Sequence, residues 1–410
     1  MTSAVSRDAA ALAAVRGLLV ELRDKNPFYG PRLREVSPPM PASLSDFAAR
    51  YPLTTKAELV ADATAHPPYG TARSEPLARF TRCHQTSGTT GQPLRWLDTP
   101  ESWAAMTDDW WEVLRQAGLM PSDRILFAFS FGPFLGFWLA FEAALKLGAL
   151  CIPGGGMSSA QRARVAEENA VTVLCCTPTY ALHLARAADE AGWDKASVRL
   201  LVVAGEPGGS IPSVRAKLGK AWPKARIFDH HGMTEVGPVT YEDPRQPGNL
   251  VVLERSFVAE CIDPVTLQPV AEGQQGELVL TTLRRRACPL LRYRTGDLVQ
   301  IRRTASGIVL EGGILGRVDD MVVVRGVNLY PSAVEAVVRE FPEVEEFQVT
   351  LDRTGLMAEV DMEVEATAEV ASALEARLLR DLGLRIPVRA ADPGTLPRFE
   401  LKARRWRTVG

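Results

Sequence analysis

Short apolar segments alternate with helical segments between residues 125 and 228, and this alternation constrains the fold more than any other feature. The predicted strands are Ile125 to Phe129, Ala149 to Pro153, Val171 to Cys176, Leu200 to Val203 and Ala225 to Phe228. The helices predicted behind the first three span about 134–147, 160–169 (capped by Ser159) and 180–191. Strands that are apolar on both faces and alternate with helices are typical of a parallel sheet covered by helices on both sides.

The flanking regions predict different architectures. Residues before about 65 indicate helices joined by a proline-rich connection at 36–41. From residue 257 to 316 the pattern changes to a small β-rich subdomain, with strands predicted at 276–282, 290–293, 298–302 and 308–311. We therefore expect an α/β protein with a large N-terminal domain, residues 1–318, and a small α+β C-terminal domain, residues 319–410. In the latter, residues 358–365 alternate apolar and acidic side chains as one half-exposed strand, with helices at about 332–340 and 367–382.

Charge and composition exclude several classes of protein. There are 47 Lys and Arg against 49 Asp and Glu, which leaves a net charge of −2 and no global field for nucleic acid or an anionic membrane. The uncharged stretch between Arg124 and Glu142 is broken by Gly132, Pro133 and Gly136, which favours a buried strand and a core helix over a membrane span. The six cysteines contain no C-x-x-C pair, as is typical of a reduced, cytoplasmic protein.

The stretch Thr86-Ser87-Gly88-Thr89-Thr90-Gly91-Gln92-Pro93 is the first candidate site. Its small residues allow backbone N–H groups to converge, and its hydroxyl groups add donors, so the loop suits a triphosphate. Its flanks, Ala78 to His84 and Leu94 to Leu97, predict short extended segments, and Thr99 with Pro100 predicts the start of a helix. The loop lacks the Walker pattern, and an exposed flexible loop is the alternative.

Polar clusters follow two strands of the predicted parallel sheet, Gly205-Glu206-Pro207 and His230-His231-Gly232-Met233-Thr234-Glu235. Ligands of such sheets bind at the carboxyl ends of the strands. The ring of His231 is suited to stack on a purine, the Thr234 hydroxyl to donate to a phosphate, and the Glu235 carboxylate to bind Mg²⁺ shared with phosphates. A helix-capping Thr-Glu pair is the alternative.

Four segments together resemble the adenylate-forming (acyl-CoA synthetase) superfamily. They are TSGTTGQP at 86–93, HHGMTEVGP at 230–238, YRTGDL at 293–298 and GRVDDMVVVRGVNLYPSAVE at 316–335. The last, with Asn26 to Tyr29, Pro52 to Lys56 and Leu396 to Arg398, is most similar to the phenylacetate–CoA ligase branch. The resemblance implies activation of an acid by ATP and Mg²⁺ to an acyl-AMP, followed by thioester formation with coenzyme A.

The resemblance also implies roles for individual residues. The catalytic ones are Lys402, Thr234 and Glu235, with Glu235 the magnesium ligand. The implied ATP or AMP contacts are Thr86, Ser87, Gly88, Thr89, Thr90, Gly91, Gly205, Glu206, Pro207, His231, Gly232, Met233, Thr234, Asp297 and Arg317. Asp297, in a predicted tight turn Thr295-Gly296-Asp297, would hold both ribose hydroxyls. Asp319 would be the hinge of a mobile C-terminal domain, and Arg325 and Gly326 would contact the thiol substrate.

The sequence departs from the family in two features, the residue at 92 and the segment after the Thr-Glu motif. Gln92 stands where lysine is common, which removes a positive charge from the phosphate loop, and Arg95 is a candidate substitute. Relatives in this branch often carry a cysteine-containing insertion after the Thr-Glu motif that binds a structural metal. Residues 246–252 contain no Cys or His, so we expect no structural zinc.

The acid is expected to be aromatic, since phenyl side chains and glycines suit a flat ring. The predicted pocket residues are Phe131, Phe134, Leu135, Gly136, Trp138, Ala204, Gly205, His230 and Gly237. A substituted benzoate such as aminobenzoate or hydroxybenzoate, or phenylacetate, fits this description. His230 or His84 would bond a ring substituent; core packing is the alternative for both histidines and for the aromatic residues.

The thiol acceptor has two candidates at this stage. Coenzyme A is the first, and the phosphopantetheine of an acyl carrier protein is the second. The run Arg284-Arg285-Arg286 predicts a basic surface for either the phosphates of CoA or an acidic carrier. A non-catalytic nucleotide-binding protein is the alternative from another class, and a homodimer is left open.

Overall fold

The computed structural model describes residues 4–86, 93–206, 208–305, 307–318, 322–324, 327–329, 331–353, 358–398 and 405–409. The chain opens with four helices, α1 (Ala4–Lys25), α2 (Gly30–Arg34), α3 (Leu44–Arg50) and α4 (Lys56–Ala65). Thr55 begins α4 with a capping box, in which its side chain accepts from Glu58 N–H and the Glu58 carboxylate accepts from Thr55 N–H. Helices α1 and α3 pack through Leu18, Leu22 and Phe47 in one core cluster with Leu291.

The predicted phosphate loop joins two antiparallel strands, β1 (Arg82–Gln85) and β2 (Arg95–Asp98). Gln85 pairs with Arg95 at the end next to the loop. The extended segment expected to begin at Ala78 is wrong at its start, because Leu77–Arg79 forms a short 3-10 turn. Thr99 caps α5 (Pro100–Gln116) as predicted, and Gly118 follows it with φ of 72°.

The parallel sheet is confirmed, with strand order β4-β3-β5-β6-β7 and every pair parallel. Its strands are β3 (Arg124–Phe127), β4 (Leu150–Pro153), β5 (Val173–Cys176), β6 (Leu200–Val203) and β7 (Arg226–Asp229), and its helices are α6 (Leu135–Leu147), α7 (Ser159–Glu168), α8 (Pro178–Glu190) and α9 (Pro212–Ala221). Ile125 and Phe127 belong to the core on one face, and Leu126 and Ala128 to the core on the other. Ser158, not Ser159, caps α7, because Ser158 forms a capping box with Gln161.

A seven-stranded, largely antiparallel sheet follows. After the hairpin β8 (Gly232–Met233) and β9 (Gly237–Pro238), its strands are β10 (Thr240–Glu242), β11 (Leu250–Val252), β12 (Phe257–Ile262), β13 (Gln275–Thr282), β14 (Tyr293–Thr304), β15 (Gly307–Leu310) and β16 (Gly316–Arg317). The sheet therefore takes two strands from before residue 257. The separate strands predicted at 290–293 and 298–302 are wrong. One long strand, β14, begins at Tyr293, contains the whole YRTGDL motif and continues to Thr304, with an irregularity in its pairing to β13.

The C-terminal part contains a four-stranded mixed sheet with order β21-β20-β19-β22. Its elements are β17 (Val322–Val324), β18 (Val327–Leu329), α10 (Pro331–Arg339), β19 (Phe347–Asp352), β20 (Glu359–Glu365), α11 (Ala368–Leu382), β21 (Val388–Ala391) and β22 (Trp406–Val409). The apolar positions predicted in β20, Val360, Met362 and Val364, are buried in this core. Fold class is thus confirmed, whereas the domain division at 318/319 stays a prediction. None of the described helices combines the length and the apolar character that a membrane crossing needs.

Candidate active site

Both carboxylate oxygens of Asp297 are bonded to residues that the sequence assigned to the nucleotide site. Oδ2 lies 3.0 Å from His231 Nε2, and Oδ1 accepts a 2.8 Å hydrogen bond from Arg317 Nη1. Asp297 and Arg317 are direct partners across the β14–β16 ladder. Three predicted nucleotide-binding residues therefore meet at one point.

Asp297 carries a negative charge at neutral pH. Its burial alone would raise the pKa of the carboxyl group, but the hydrogen bond and charge of His231 and the guanidinium of Arg317 hold that pKa below its ordinary value. A carboxylate offers about four lone-pair directions. The two protein donors leave room for the two hydroxyl groups of a ribose.

The predicted tight turn at Thr295-Gly296-Asp297 is wrong, because these residues lie inside β14. Gly296 has φ of 76°, and the pairing of β13 with β14 shifts register beside it, which identifies a β-bulge. Thr295 fixes the bulge, since its hydroxyl donates to the Leu278 carbonyl at 2.8 Å and accepts from Asp297 N–H at 3.0 Å. The bulge aims Asp297 from a strand of the sheet.

Thr234 and Glu235 lie in the turn between β8 and β9, and one guanidinium holds their backbone. Arg285 Nη1 donates to the Thr234 carbonyl at 2.8 Å and to the Glu235 carbonyl at 2.9 Å. Its other nitrogens donate to Asp98 at the end of β2, at 2.8 and 2.7 Å. The side chains of Arg285 and Asp98 are 1% and 0% exposed. This buried pair joins the phosphate-loop hairpin to the Thr-Glu turn.

The basic surface predicted at Arg284-Arg285-Arg286 is therefore wrong. Arg285 is buried, Arg284 Nη2 lies 3.0 Å from Asp108 Oδ2, and Arg286 Nη2 lies 2.7 Å from Glu21 Oε1. Three consecutive arginines do not reveal from sequence that each has a carboxylate partner distant along the chain. Arg285 therefore contributes nothing to a basic surface, and the partly exposed guanidinium groups of Arg284 and Arg286 are each paired with a carboxylate.

Lys56 is a site residue that the sequence analysis did not assign. Its ammonium nitrogen lies 3.3 Å from Glu235 Oε1; the Glu235 side chain is 9% exposed and that of Lys56 is 46% exposed. Lys56 is the first residue of α4 and belongs to the Pro52 to Lys56 segment, which served only as a marker of the family branch. The similarity of that segment to the family was the sequence signal that could have marked Lys56 as a site residue.

The donor set around Glu235 fits an ion carried by phosphates. Among the described residues, no group of three or more His, Cys, Asp or Glu side chains is arranged to hold a metal by itself. Mg²⁺ in phosphate-transfer sites takes one or two carboxylates and completes its shell with phosphate oxygens and water. Glu235 can supply such a carboxylate, in exchange for or beside Lys56.

Thr86 closes the phosphate loop. Its N–H donates to the Leu94 carbonyl at 3.0 Å, and its hydroxyl accepts from Leu94 N–H at 3.1 Å. The predicted loop residues Ser87, Gly88, Thr89, Thr90, Gly91 and Gln92 lie outside the described residues. Arg95, the candidate substitute for the missing lysine, instead donates to the Pro68 carbonyl at 3.1 Å. Lys56 is thus the described cation that pairs with the carboxylate of Glu235.

The segment after β6 is placed at the carboxyl edge of the parallel sheet, as predicted. Gly205 has φ of 91°, a conformation that favours glycine. The Glu206 carboxylate accepts a 2.7 Å hydrogen bond from Thr179 N–H in the first turn of α8, so this side chain holds the segment against a helix N-terminus. Pro207 lies outside the described residues.

Aromatic side chains cluster between β3 and α6, where the acyl pocket was predicted. Phe131 lies 5.4 Å from Phe129 and 5.1 Å from Trp138, measured between ring centroids. Phe137 stacks on Phe129 at 3.9 Å, and Phe134 lies 6.1 Å from Phe137. Phe129 belongs to the main core, Phe131 and Phe137 pack against that core, and Trp138 is 40% exposed. The cluster thus combines core packing with a half-buried apolar surface.

The β8–β9 hairpin contacts α5 and α6, which brings the Thr-Glu turn beside this cluster. A Cβ at Gly237, where φ is 90°, would lie 2.8 Å from Met106 Sδ on α5. Gly136 has no atom within 4 Å of its Cβ position, and Ala204 is half-buried. Gly237 thus lies close against α5, whereas the Cβ position of Gly136 is open, and the pocket roles of these residues stay predictions.

Several predicted residues cannot be placed. Lys402, Asp319, Arg325 and Gly326 lie outside the described residues, so their roles as catalytic lysine, hinge and thiol contacts stay predictions. Arg398, which precedes Lys402, is described and is paired with Glu365, Nη1 lying 2.9 Å from Oε1. His84 stacks on Trp103, with centroids 5.1 Å apart.

Two family models match the chain. The model described as AMP-binding enzyme covers residues 84–282, and that described as AMP-binding enzyme C-terminal domain covers residues 326–407. The phenylacetate-coenzyme A ligase of Thermus thermophilus is 31% identical over 94% of this chain and 92% of its own length. The enzyme of the same description from Pseudomonas putida is 30% identical over 96% of this chain and 92% of its own length.

A solved structure of 2-hydroxyisobutyryl-CoA ligase in the postadenylation state, with an acyl-AMP, covers 100% of this chain and 90% of its own, at 27% identity and a TM-score of 0.92. In its thioester-forming state the same enzyme covers 99% of this chain and 90% of its own, at 28% identity and a TM-score of 0.75. The described arrangement is thus more similar to the state that follows adenylation. With the relatives above, these findings identify the chain as an AMP-forming acid–CoA ligase of the phenylacetate–CoA ligase-like branch of the adenylate-forming superfamily.

Proposed function

We propose that this ligase activates an aromatic carboxylic acid, a substituted benzoate or a phenylacetate, and transfers it to coenzyme A. The chemistry of the family is adenylation of an acid by ATP followed by thioester formation. The single observation that supports an aromatic acid is the cluster of phenyl rings at the edge of the core beside the β8–β9 hairpin. A flat ring packs on such faces and edges with more contact than a flexible alkyl chain does.

In the first step a carboxylate oxygen of the acid attacks the α-phosphorus of ATP, and the bond to the β-phosphate bridging oxygen breaks to release pyrophosphate. Asp297 would hold the ribose, and the Thr234 hydroxyl would donate to the α-phosphate. Mg²⁺, held by Glu235 and phosphate oxygens, would neutralise the charge of the leaving group. The lysine at 402 would place a positive charge between the acid and the α-phosphate, where charge builds in the transition state.

Lys56 would supply the positive charge that the phosphate loop lacks, because Gln92 stands where the family commonly has a lysine. Gln92 contributes no charge, whereas the ammonium of Lys56 lies 3.3 Å from the Glu235 carboxylate and the Lys56 side chain is 46% exposed. A phosphate chain that approaches Glu235 through a metal ion would meet this ammonium. We therefore assign Lys56 to the pyrophosphate end of ATP.

In the second step the thiol of coenzyme A attacks the acyl carbon, and the bond to the AMP oxygen breaks to release AMP. This step would need the C-terminal domain to move about Asp319, so that Arg325 and Gly326 reach the thiol. The higher similarity to a postadenylation structure than to a thioester-forming one is consistent with a domain that changes position between the two steps.

Two alternatives are outcomes of the test: a small hydroxy acid in place of the aryl acid, and a carrier protein in place of coenzyme A. The relatives of about 30% identity act, by description, on phenylacetate, whereas the similar solved structure acts on a small hydroxy acid. A carrier protein could replace coenzyme A as the thiol. The correction at Arg285 removes the one surface feature that had favoured either acceptor.

Pyrophosphate release should be measured over matched aryl and alkyl acids, with and without CoA. We expect substituted benzoates or phenylacetates to give the highest kcat/KM, with CoA esters as products. Higher kcat/KM for alkyl acids of every length would contradict the aromatic assignment. Adenylation without a CoA ester would indicate a carrier-protein acceptor instead.

A further inference from the structure

His230 is a buried histidine whose ring is fixed on two sides. It is 5% exposed, and its ring lies against Trp110 of α5, with centroids 4.3 Å apart and planes at 54°. Its Nδ1 lies 2.6 Å from the Thr240 carbonyl oxygen. Because a carbonyl oxygen only accepts hydrogen bonds, Nδ1 must carry the proton of the ring.

The second ring nitrogen, Nε2, is therefore an acceptor. Burial lowers the pKa of His230 to about 4, so the ring is neutral near pH 7 and Nε2 keeps its lone pair. Nδ1 is the ring atom that bonds to the described part of the protein, through Thr240. A Cβ at Gly232 would lie 3.3 Å from Nε2, so the glycine leaves that side of the ring uncovered by a side chain.

Packing alone does not explain a histidine at this position. A leucine or phenylalanine would also fill the space against Trp110, and it would carry no ring nitrogen that needs a hydrogen-bond donor. The neutral ring adds no ion pair, because its one described polar contact is to a carbonyl group. Nε2 is thus an acceptor with a fixed direction and no described protein donor, which suggests that a donor group of a bound ligand fills this position.

The position of His230 also separates it from the nucleotide contacts. His231 is directed to Asp297 at 3.0 Å, whereas His230 is directed to Trp110, one helical turn from Met106, the neighbour of Gly237. The two histidines therefore face the two halves of the site, the nucleotide half and the half beside the aromatic cluster.

We propose that His230 Nε2 accepts a hydrogen bond from a hydroxyl or amino group of the acid, so that the enzyme selects aryl acids carrying a hydrogen-bond donor over their unsubstituted parents. This inference rests on the proposed function of the same site. It narrows the substrate class to hydroxy- or amino-substituted benzoates or phenylacetates. A methoxy or dimethylamino group, which cannot donate, is rejected with the parent acid.

The test is kcat/KM for pyrophosphate release with matched acids that differ in one group. Each series contains the parent acid, the hydroxy and methoxy derivatives, and the amino and dimethylamino derivatives, at the ortho, meta and para positions. One donor-bearing acid should exceed both its parent and its methylated derivative by at least about tenfold, because a site built to bond a donor discriminates against analogues that lack it. Equal kcat/KM across a series, with good activity, overturns the inference and leaves the proposed function intact.

The same series should be measured with His230→Leu and His230→Gln. We expect the ratio of donor-bearing to parent acid to fall toward one in His230→Leu and to be partly kept in His230→Gln, which retains an acceptor. His183→Leu, on α8, is the matched control and should leave the ratio unchanged. An unchanged ratio in His230→Leu overturns the inference, and the wild-type series decides it alone if the variants do not fold. No pyrophosphate release with any aryl acid contradicts the proposed function itself.

Discussion

Arg285 and Asp98 form a fully buried, two-bond ion pair, with nitrogen–oxygen distances of 2.8 and 2.7 Å, while the same guanidinium holds the carbonyls of the Thr234–Glu235 turn. Removing one partner of a buried pair leaves an uncompensated charge, which typically costs about 3–5 kcal/mol. We expect Arg285→Met to lower the free energy of unfolding by that amount and to reduce adenylation through the displaced turn. Urea unfolding monitored by tryptophan fluorescence measures the first effect.

Arg286→Met is the matched control for this prediction. Arg286 pairs with Glu21, but the two side chains are 39% and 38% exposed, and exposed pairs contribute about 0–1 kcal/mol. The control should unfold near the wild-type urea concentration. A loss in Arg285→Met no larger than in the control would contradict the structural role given to the buried pair.

Lys56→Met should weaken the use of ATP more than it affects stability. The Lys56 side chain is nearly half exposed, so its pair with Glu235 contributes little to folding. If its ammonium meets the phosphate chain, its loss removes a charge-assisted contact of about 1.5–3 kcal/mol, or roughly ten- to a hundredfold in the KM for MgATP. Steady-state pyrophosphate release at varied ATP and saturating acid measures it.

Lys25→Met, in the last turn of α1, serves as the control for charge removal on the same part of the chain. It should leave the KM for ATP unchanged. If Lys56→Met also leaves it unchanged, Lys56 only pairs with Glu235 and does not contact the nucleotide.

Lys402→Ala should separate the two half-reactions. The lysine is assigned to the transition state of adenylation alone, so pyrophosphate release should fall by orders of magnitude, as for other preorganised charges in transition states. Formation of the CoA ester from a chemically prepared acyl-AMP should be retained. Equal loss of both half-reactions would contradict a C-terminal domain that presents different residues in the two steps.

His230 and Asp229 should make folding stability respond to acid in opposite directions. Burial lowers the pKa of His230 from 6.5 to about 4, so the unfolded chain binds the extra proton in this range and stability is lost as the pH falls. Burial raises the pKa of Asp229 from 3.8 to about 6, so here the folded chain binds the extra proton and gains stability as the pH falls. The two effects largely offset each other in the wild type.

His230→Leu removes only the first effect. As the pH falls from about 7 to 4, the free energy of unfolding of the variant should rise relative to that of the wild type, by up to about 3 kcal/mol for a shift of this size. Urea unfolding of both proteins at several pH values in this range measures the difference. A difference that does not change with pH would show that His230 does not titrate as its burial requires.

The sequence predicted those helices and strands whose formation depends on residues close together in the chain. Leu200 to Val203 has no polar residue, and it is a central strand of the parallel sheet with the bounds expected. The start of α7 was missed by one residue because Ser158 and Ser159 are both good N-caps, and only the partner Gln161 decides between them. Gly296 and Asp297 are common turn residues, so a bulge inside a long strand could not be distinguished from a turn without its partner strand.

The contacts that assemble the site depend on pairs distant along the chain. Nothing near Arg285 in sequence indicates Asp98, and nothing near Lys56 indicates Glu235. The motifs predicted which residues contact the nucleotide because each motif is contiguous. They did not identify the residues that fix those motifs in place, since burial of a charge is a property of the folded chain.

The ladder that pairs Asp297 with Arg317 also lies at the boundary of the two parts of the molecule. Val318 N–H donates to the Gly296 carbonyl at 2.7 Å, and the next described strand, β17, already belongs to the C-terminal part. The residue that would hold the ribose is thus one ladder position from the chain that leads into the C-terminal part. Asp297 and the entry to the C-terminal part are held by the same β14–β16 ladder, so a displacement of Asp297 would reach that entry through backbone hydrogen bonds.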